Sequence, residues 1–402
     1  MATRPEANGE GPADPQVVAG RPQLLRAMNE ATLLNALRRD GSLMRTDLAR
    51  ISGLSKPTVA LGLANLERDG LVRVAGRRTG VRGPAALFYA VRPEAGYVLS
   101  LDVGGEYVRG ALADLGGNVR AHGKASVHAA SSQTRAAALI ALADELAADA
   151  GVTRSAIAQT IVGSPGIYDR RRDALKLARG LPGWESPGVL TELRRAFGRK
   201  TLVENDVNLA ALAERDRGHG RDIDAFAFVS VGTGIGMGLV LAGELRRGAH
   251  GAAGEIGFLP LGEGGGLDSS DARRRGTLEA AASAAGIVRS ARRRGMRGRL
   301  SPREVFSAWA AGDLKAAEVV ADEARLVARA IASIAVVADP SLVVLGGGIG
   351  CAPGFADVVA ADLPSLLPVV PEIRVSALGD EVVVEGGIVA AIDLAWREIL
   401  SR

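Results

Sequence analysis

Residues 225–241 read AFAFVSVGTGIGMGLVL, and the reading of this stretch decides the fold. An apolar run rich in Phe and Val breaks on Gly232-Thr233-Gly234-Ile235-Gly236 and resumes as a second apolar run at Met237. The pattern predicts a buried strand, a glycine loop and a returning strand. Closely spaced glycines at a strand end let backbone N–H groups approach a phosphate, since no Cβ stands in the way. The same junction occurs twice more. Residues 97–105, YVLSLDVGG, place Asp102 at a strand end before Gly104 and Gly105, and residues 342–350, LVVLGGGIG, run into Gly346 and Gly347. One Asp-x-Gly-Gly is as often a tight hairpin as a phosphate loop. Three strand-to-glycine junctions predict a phosphate-binding cleft between two lobes, with Asp102, Gly104, Gly105, Gly232, Thr233, Gly234 and Gly347 as its loop residues.

Between the first two junctions lies VENDVN, residues 203–208, a strand end opening onto a helix predicted over residues 209–217. Asp206 is placed there to accept a proton from a substrate hydroxyl, and Asn205 to hydrogen-bond one. Helix capping by Asn205, Asp206 or Asn208 is the competing reading.

Towards the N-terminus the pattern changes. Leu24, Leu25, Met28, Leu33, Leu34 and Leu37 form a helical stripe that stops at Asp40-Gly41, and a short helical stretch follows around residues 47–51. Gly53 supplies a turn, Ser55 can cap the next helix, and Pro57 fits its first turn. Val59, Leu63 and Leu66 give that helix its inward face until Asp69-Gly70. Two short helices across a glycine turn predict a helix-turn-helix. Strands predicted over residues 71–74 and 86–91 flank RRTGVRG, residues 77–83, which reads as a flexible cationic wing. In a winged helix the start of the second helix enters the major groove, so Ser55, Lys56 and Thr58 face phosphates or base edges. Arg77, Arg78 and Arg82 suit phosphates or the minor groove, and Ala60 and Leu61 offer only apolar contacts. The bland alternative is a small helical adaptor with solvated arginines.

Charge favours the first reading. The chain has five lysines against 44 arginines, so arginine richness alone says little. Residues 21–92, however, hold 13 basic and 5 acidic residues, a net of +8 in a chain whose total is +4. Positive charge concentrated in one segment is the footprint of a phosphate-backbone partner, and with the helix-turn-helix the partner expected is double-stranded operator DNA.

With 402 residues, 47% of them hydrophobic, the chain exceeds what one core usually organises. The predicted division is a disordered polar tail at residues 1–20, a DNA-binding domain at 21–92 and a ligand-binding domain at 93–402. No apolar run reaches the roughly 18 residues a membrane span needs. A single cysteine, Cys351, excludes an internal disulfide and fits a reducing compartment, so a cytoplasmic protein is expected.

Six motifs, two of them within stretches already quoted, mark the chain: Gly163-Ser164-Pro165-Gly166, Leu181-Pro182-Gly183-Trp184, Glu204-Asn205-Asp206, Gly232-Thr233-Gly234, Gly254-Glu255-Ile256-Gly257 and Gly276-Thr277-Leu278-Glu279. With them, residues 21–402 resemble the ROK family (repressor, open reading frame, kinase), in which sugar kinases and winged-helix sugar-responsive regulators share an actin-like ATPase fold. The resemblance implies an α/β chain in which a winged helix-turn-helix precedes a two-lobed, sugar kinase-like domain. It further implies that Asn205, Asp206, Glu255 and Glu279 contact sugar hydroxyls, with Asp206 as the base in members that phosphorylate.

Departures from the family pattern bear on function. The family's zinc motif has a His after Gly-Glu-x-Gly and three cysteines further on, whereas this chain has Phe258, Ser270, Ala272 and Thr277 there. Residues 262–276 contain neither thiol nor imidazole, so no zinc and no other cofactor is expected. Glu106 stands where the family's kinases usually carry Thr, and a carboxylate there would repel a triphosphate unless it points away. The expectation is therefore a transcriptional regulator of carbohydrate genes, a repressor acting as a homodimer or homotetramer, with a sugar or sugar phosphate as its ligand. A sugar kinase and a ligand-independent dimeric regulator are the alternatives.

Overall fold

The computed structural model describes residues 22–78, 86–127, 131–178, 180–261 and 269–400. The tail at residues 1–20, the wing tip with Arg82, and residues 262–268 lie outside the described residues. Two compact units are present, one comprising Met1–Arg92 with Arg397–Arg402 and the other Pro93–Trp396.

The first unit runs α1 (Pro22–Asp40), β1 (Leu43–Met44), α2 (Arg45–Ser52), α3 (Lys56–Arg68), β2 (Val72–Arg78) and β3 (Ala86–Val91). Gly53, at φ 70°, ends α2 with its N–H on the Ala49 carbonyl, and the Ser55 hydroxyl caps α3 by accepting the Thr58 N–H at 3.3 Å. Leu33, Leu34, Leu37, Leu48, Val59 and Leu63 fill the core. Gly62 lets α1 and α3 approach, since a Cβ there would stand 2.7 Å from the Leu33 side chain. Tyr89 of β3 is buried, and its hydroxyl accepts a hydrogen bond from Arg45 of α2 at 2.5 Å.

Three features differ from the sequence reading. Leu24, Leu25 and Met28 are exposed (58, 54 and 57%) rather than core, because a 19-residue helix of about 28 Å outruns the short α2 and α3 beneath it. Arg77 and Arg78 are not in a loop but in β2, opposite Leu87 and Ala86, beyond a bulge between Val74 and Gly76. The two-residue β1 carries no apolar alternation of its own and exists through pairing with Tyr89 and Phe88, giving a sheet ordered β1-β3-β2.

The second unit has two lobes. The first comprises β4 (Tyr97–Val103), β5 (Tyr107–Asp114), β6 (Val119–Ser126), α4 (Ser132–Asp149), β7 (Ile157–Ser164), β8 (Ile167–Asp169), β9 (Ala174–Lys176), α5 (Pro187–Phe197) and β10 (Thr201–Asn205). Then come α6 (Asp206–Arg217), β11 (Phe226–Val231), β12 (Ile235–Leu241), β13 (Glu244–Leu245), α7 (Ser269–Arg275), α8 (Thr277–Ala281), α9 (Ala284–Arg293), α10 (Pro302–Ala310) and α11 (Leu314–Ala338). β14 (Leu342–Gly346), α12 (Gly347–Gly350), α13 (Phe355–Asp362), β15 (Glu372–Val375) and α14 (Val382–Leu400) complete the chain. The sheets are ordered β10-β7-β4-β5-β6 and β13-β12-β11-β14-β15. In each, a first strand carries an antiparallel hairpin on one side and parallel strands on the other.

This duplication aligns the functional segments. Asp102 is level with Gly163, and Asn205 with Ser164, at the carboxyl ends of three parallel strands. Ser230 and Gly346 are level in the second sheet. Ligands of parallel sheets sit outside such carboxyl ends. The third glycine run is not an open loop, since residues 347–350 form the one-turn α12. Gly347, at φ 78°, is required there: a Cβ would stand 2.5 Å from the Val231 carbonyl oxygen.

One core feature is destabilising. Glu323 of α11 is 3% exposed, and its Oε1 has no hydrogen-bond partner among the described residues. Burial raises its pKa well above the usual carboxyl value. The fold therefore favours the neutral form, so this residue's contribution is best below the ordinary carboxyl pKa and is lost as pH rises towards the raised one. Glu323→Gln removes the proton uptake that burial demands and should stabilise the protein at neutral pH, seen as a melting temperature several degrees higher at pH 8 and a smaller gain at pH 5. Equal melting at both pH values would contradict this.

Candidate functional site

Two surfaces carry the chemistry. On the first unit, Ser55 and Lys56 are exposed and Thr58 is half-buried at the start of α3. The Ser55 and Thr58 hydroxyls lie 2.7 Å apart in the cap, so they are partly spent on the helix itself. Lys56 and Arg77 project from the surface, and Leu61, one turn along α3, is 64% exposed. Arg73 of β2 is exposed as well; the sequence reading passed over it because a strand position alone does not say which way a side chain faces. Arg82 lies outside the described residues, as does the side chain of Arg78.

The second surface is the cleft at the β10–α6 junction. Asn205 caps α6: its Oδ1 accepts the Asn208 N–H, and its Nδ2 donates to the Gly166 carbonyl, both at 3.0 Å. Capping and ligand contact are compatible, because an amide keeps a second N–H and a second lone pair. Asp206 is the first residue of α6; its Oδ1 accepts the Val207 N–H at 2.8 Å, and burial raises its pKa. The motifs around the junction act as its supports. The buried Trp184 indole donates to the Ser164 hydroxyl at 3.0 Å. Gly166 adopts φ 84°, where a Cβ would collide with the Lys176 carbonyl oxygen at 2.4 Å.

Glu204 stands in the Glu204-Asn205-Asp206 motif but has no role of its own in the sequence reading. It is buried, accepting from the Asn205 N–H and the Asn208 amide at 3.0 Å and from the Arg247 guanidinium at 2.5 Å. Its ion-pair partners, Arg247 and Arg170, come from distant loops, which leaves no local signal for them. Glu279 accepts the Ile235 N–H at 3.2 Å, and a Cβ on Gly234 would stand 2.7 Å from its carboxylate. Glu255 is half-buried at the start of the turn at residues 256–258, and Gly257 of that turn packs against the Glu279 Cβ position.

The Asp102 loop is a tight hairpin, with the Gly104 N–H on the Tyr107 carbonyl at 2.9 Å. The buried Arg135 of α4 clamps it, donating to the Gly104 and Gly105 carbonyls at 3.3 and 3.0 Å. Burial, helped by the charge of Asp206, pushes the Asp102 pKa up to about 7 against the pull of Arg109. Arg109 lies directly across the hairpin from Asp102, 3.2 Å away. Arg109 therefore shares this carboxyl group. Glu106 is exposed at the turn. The Gly232 run faces Gly348, and between Gly232, Thr233, Phe306 and Gly348 opens a cavity of about 690 Å³.

The family's zinc does not fit the residues present. Phe258 is 42% exposed, and Thr277 uses its hydroxyl to donate to the Leu259 carbonyl at 2.7 Å. A Cβ on Gly276 would stand 2.0 Å from the Gly257 carbonyl oxygen. The two segments are thus joined by close backbone packing and a hydrogen bond. Among the described residues no group of three or more His, Cys, Asp or Glu is placed to hold a metal.

Comparison with known proteins matches this architecture. The ROK family profile matches residues 98–394, and a winged helix-turn-helix DNA-binding profile matches residues 32–73. A xylose repressor of Caldicellulosiruptor bescii is 23% identical over 245 residues, covering 60% of this chain and 61% of that protein. The crystal structure of a ROK hexokinase from Thermus thermophilus superposes with a TM-score of 0.63 at 30% identity, over 76% of this chain and 100% of that one. A ROK family transcriptional regulator homologous to the E. coli Mlc protein gives a TM-score of 0.78 at 22% identity, over 94% and 98%. Across five of the curated relatives it matches, the chain spans between 27% and 63% of their length. A winged helix-turn-helix followed by an actin-like, two-lobed domain with these motifs places the chain in the ROK family.

Proposed function

We propose that this protein is a DNA-binding transcriptional regulator, a repressor of carbohydrate-related genes, whose operator affinity is set by a sugar held in the cleft. Lys56 and Arg77, with Ser55, Thr58, Arg78 and Arg82, take the DNA backbone and base edges; Asn205, Asp206, Glu255 and Glu279 take the sugar. The protein works in the cytoplasm, where its operator is. The observation that carries sensing over catalysis is the Asp102–Arg109 pair. Phosphoryl transfer needs nucleotide, cation, base and sugar in one geometry, whereas sensing needs only different affinities for two conformations. A carboxyl group at the glycine loop that is buried, partly neutral near pH 7 and shared with Arg109 harms the first and not the second.

The cavity beside Gly232 and Gly348 favours a second reading, a sugar kinase, since it could accommodate a nucleotide. Both readings face one experiment: a thermal-shift screen of sugars against the purified protein, followed by operator binding with and without the stabilising sugar and by a phosphorylation assay with ATP. A sugar that shifts operator affinity without turnover supports the regulator; turnover without an effect on DNA supports the kinase.

The regulator acts as a dimer or dimer of dimers on an imperfect inverted repeat, because two half-sites match a twofold axis. Exposed apolar residues support this: Val336 (77%) and Val337 (88%) end α11, and Val369 (73%) lies just before β15. The Glu372 N–H on the Ser341 carbonyl brings these two segments to the same end of the second lobe. Val337→Asp with Val369→Asp should yield monomers by light scattering and lower operator affinity on the order of a hundredfold, since bivalent engagement is lost. An unchanged dimer would move the interface elsewhere.

A further inference from the structure

We infer that the ligand is an anionic sugar, carrying a phosphate or carboxylate that Arg170, Arg171, Arg247 and His250 hold beside the cleft. This rests on the sugar-sensing reading above and names its ligand class. A cavity of about 200 Å³ opens between the β8–β9 turn and the loop after β13, and Asn205 lines it. Three arginines and one histidine also line it. Among the described residues only two acids do, and both are occupied. Asp169 accepts the Arg171 and Arg172 N–H groups at 3.1 Å, the Lys176 ammonium at 2.9 Å and the Arg172 guanidinium at 3.3 Å. Glu204 accepts from Asn205, Asn208 and Arg247, with Arg170 at 3.5 Å.

Counting Arg172 and Lys176 with the three lining arginines, five fixed positive charges face two carboxylates, a local excess of three before His250 is considered. The N-terminus of the 12-residue α6, capped by Asn205, adds a dipole of the same sign. Arginine forks match carboxylate and phosphate oxygens bidentately. The side chains of Arg171 and His250 pair with no described residue, so they are available without breaking an existing bond. The cavity also joins the lobes, since Arg170 and Arg171 belong to the first lobe while Arg247 and His250 follow β13 of the second. An anion bound there draws both sets together, which links occupancy to closure of the cleft.

The test uses the full-length protein and matched probes: glucose, glucose 6-phosphate and glucuronate; N-acetylmannosamine and its 6-phosphate; and inorganic phosphate alone. Affinities are measured by calorimetry for wild type, the Arg170→Ala/Arg171→Ala pair and His250→Ala. An anionic sugar should bind wild type at least about tenfold more tightly than its neutral parent, and the arginine pair should reduce that preference about ten- to a hundredfold. Melting without ligand checks that the variants fold, as both arginines are exposed on a turn. A neutral sugar binding best, with a preference the variants leave unchanged, overturns the anionic assignment and leaves the sugar site standing. Binding of inorganic phosphate but of no sugar overturns the sugar reading and this ligand class with it, as does binding of none of the probes. Phosphate esters and sugar acids are separated by which member of the glucose set the arginines favour.

Discussion

Asp206→Asn should abolish the effector's influence on operator binding while leaving operator affinity without effector within about twofold of wild type. The carboxylate sits at the first turn of α6 with one oxygen on the Val207 N–H, which leaves the other to accept from a sugar hydroxyl. A hydrogen bond to a charged group contributes roughly 1.5–3 kcal/mol, so its loss should weaken effector binding about ten- to a hundredfold. Glu255→Gln should act in the same direction. The accepting form is the ionised one, and burial raises the Asp206 pKa. Effector affinity in wild type should therefore rise with pH through that raised value and then level off, with Asp102 titrating beside it near 7. Operator binding with and without effector, across pH, checks this. A mutant that responds normally removes Asp206 from the pocket.

Lys56→Ala combined with Arg77→Ala should cost more. Both side chains are exposed, so the fold should survive their truncation. Each phosphate contact contributes about 0.9 to the slope of log affinity against log salt. A dimer would lose four contacts, so the slope should fall by about 3.6, and affinity at 0.1 M salt by roughly four-thousandfold if binding at 1 M is unaffected. Leu61→Ala, by contrast, should leave the slope untouched and weaken only operators with a thymine under it. An unchanged slope in the double variant would place the DNA on another surface.

Much of the fold was legible because its signals are local. Apolar runs ending in glycine, the Ser55 cap, the Gly53 turn and the VENDVN strand end each lie within a few residues of chain. Local chemistry also offered Asn205, Asp206 and Lys56 as candidates. It did not reveal that Asn205 would be a cap as well as a candidate contact. Both roles need the same residue type, so the sequence left them open.

What the sequence determined by itself, then, was the order of the helix-turn-helix elements, the places where strands run into glycine, and the strand end before α6. Tertiary structure alone decided what depends on segments far apart in the chain meeting. Arg109 reaches Asp102 through hairpin register, Arg247 reaches Glu204 across 43 residues, and β1 forms only because β3 lies beside it. Leu24, Leu25 and Met28 share the periodicity of Leu33 and Leu37 yet stay exposed, because burial depends on whether a partner reaches that far. Local patterns report what a residue is suited to touch; which group it touches is settled by packing, where side chains from distant segments compete for the same space.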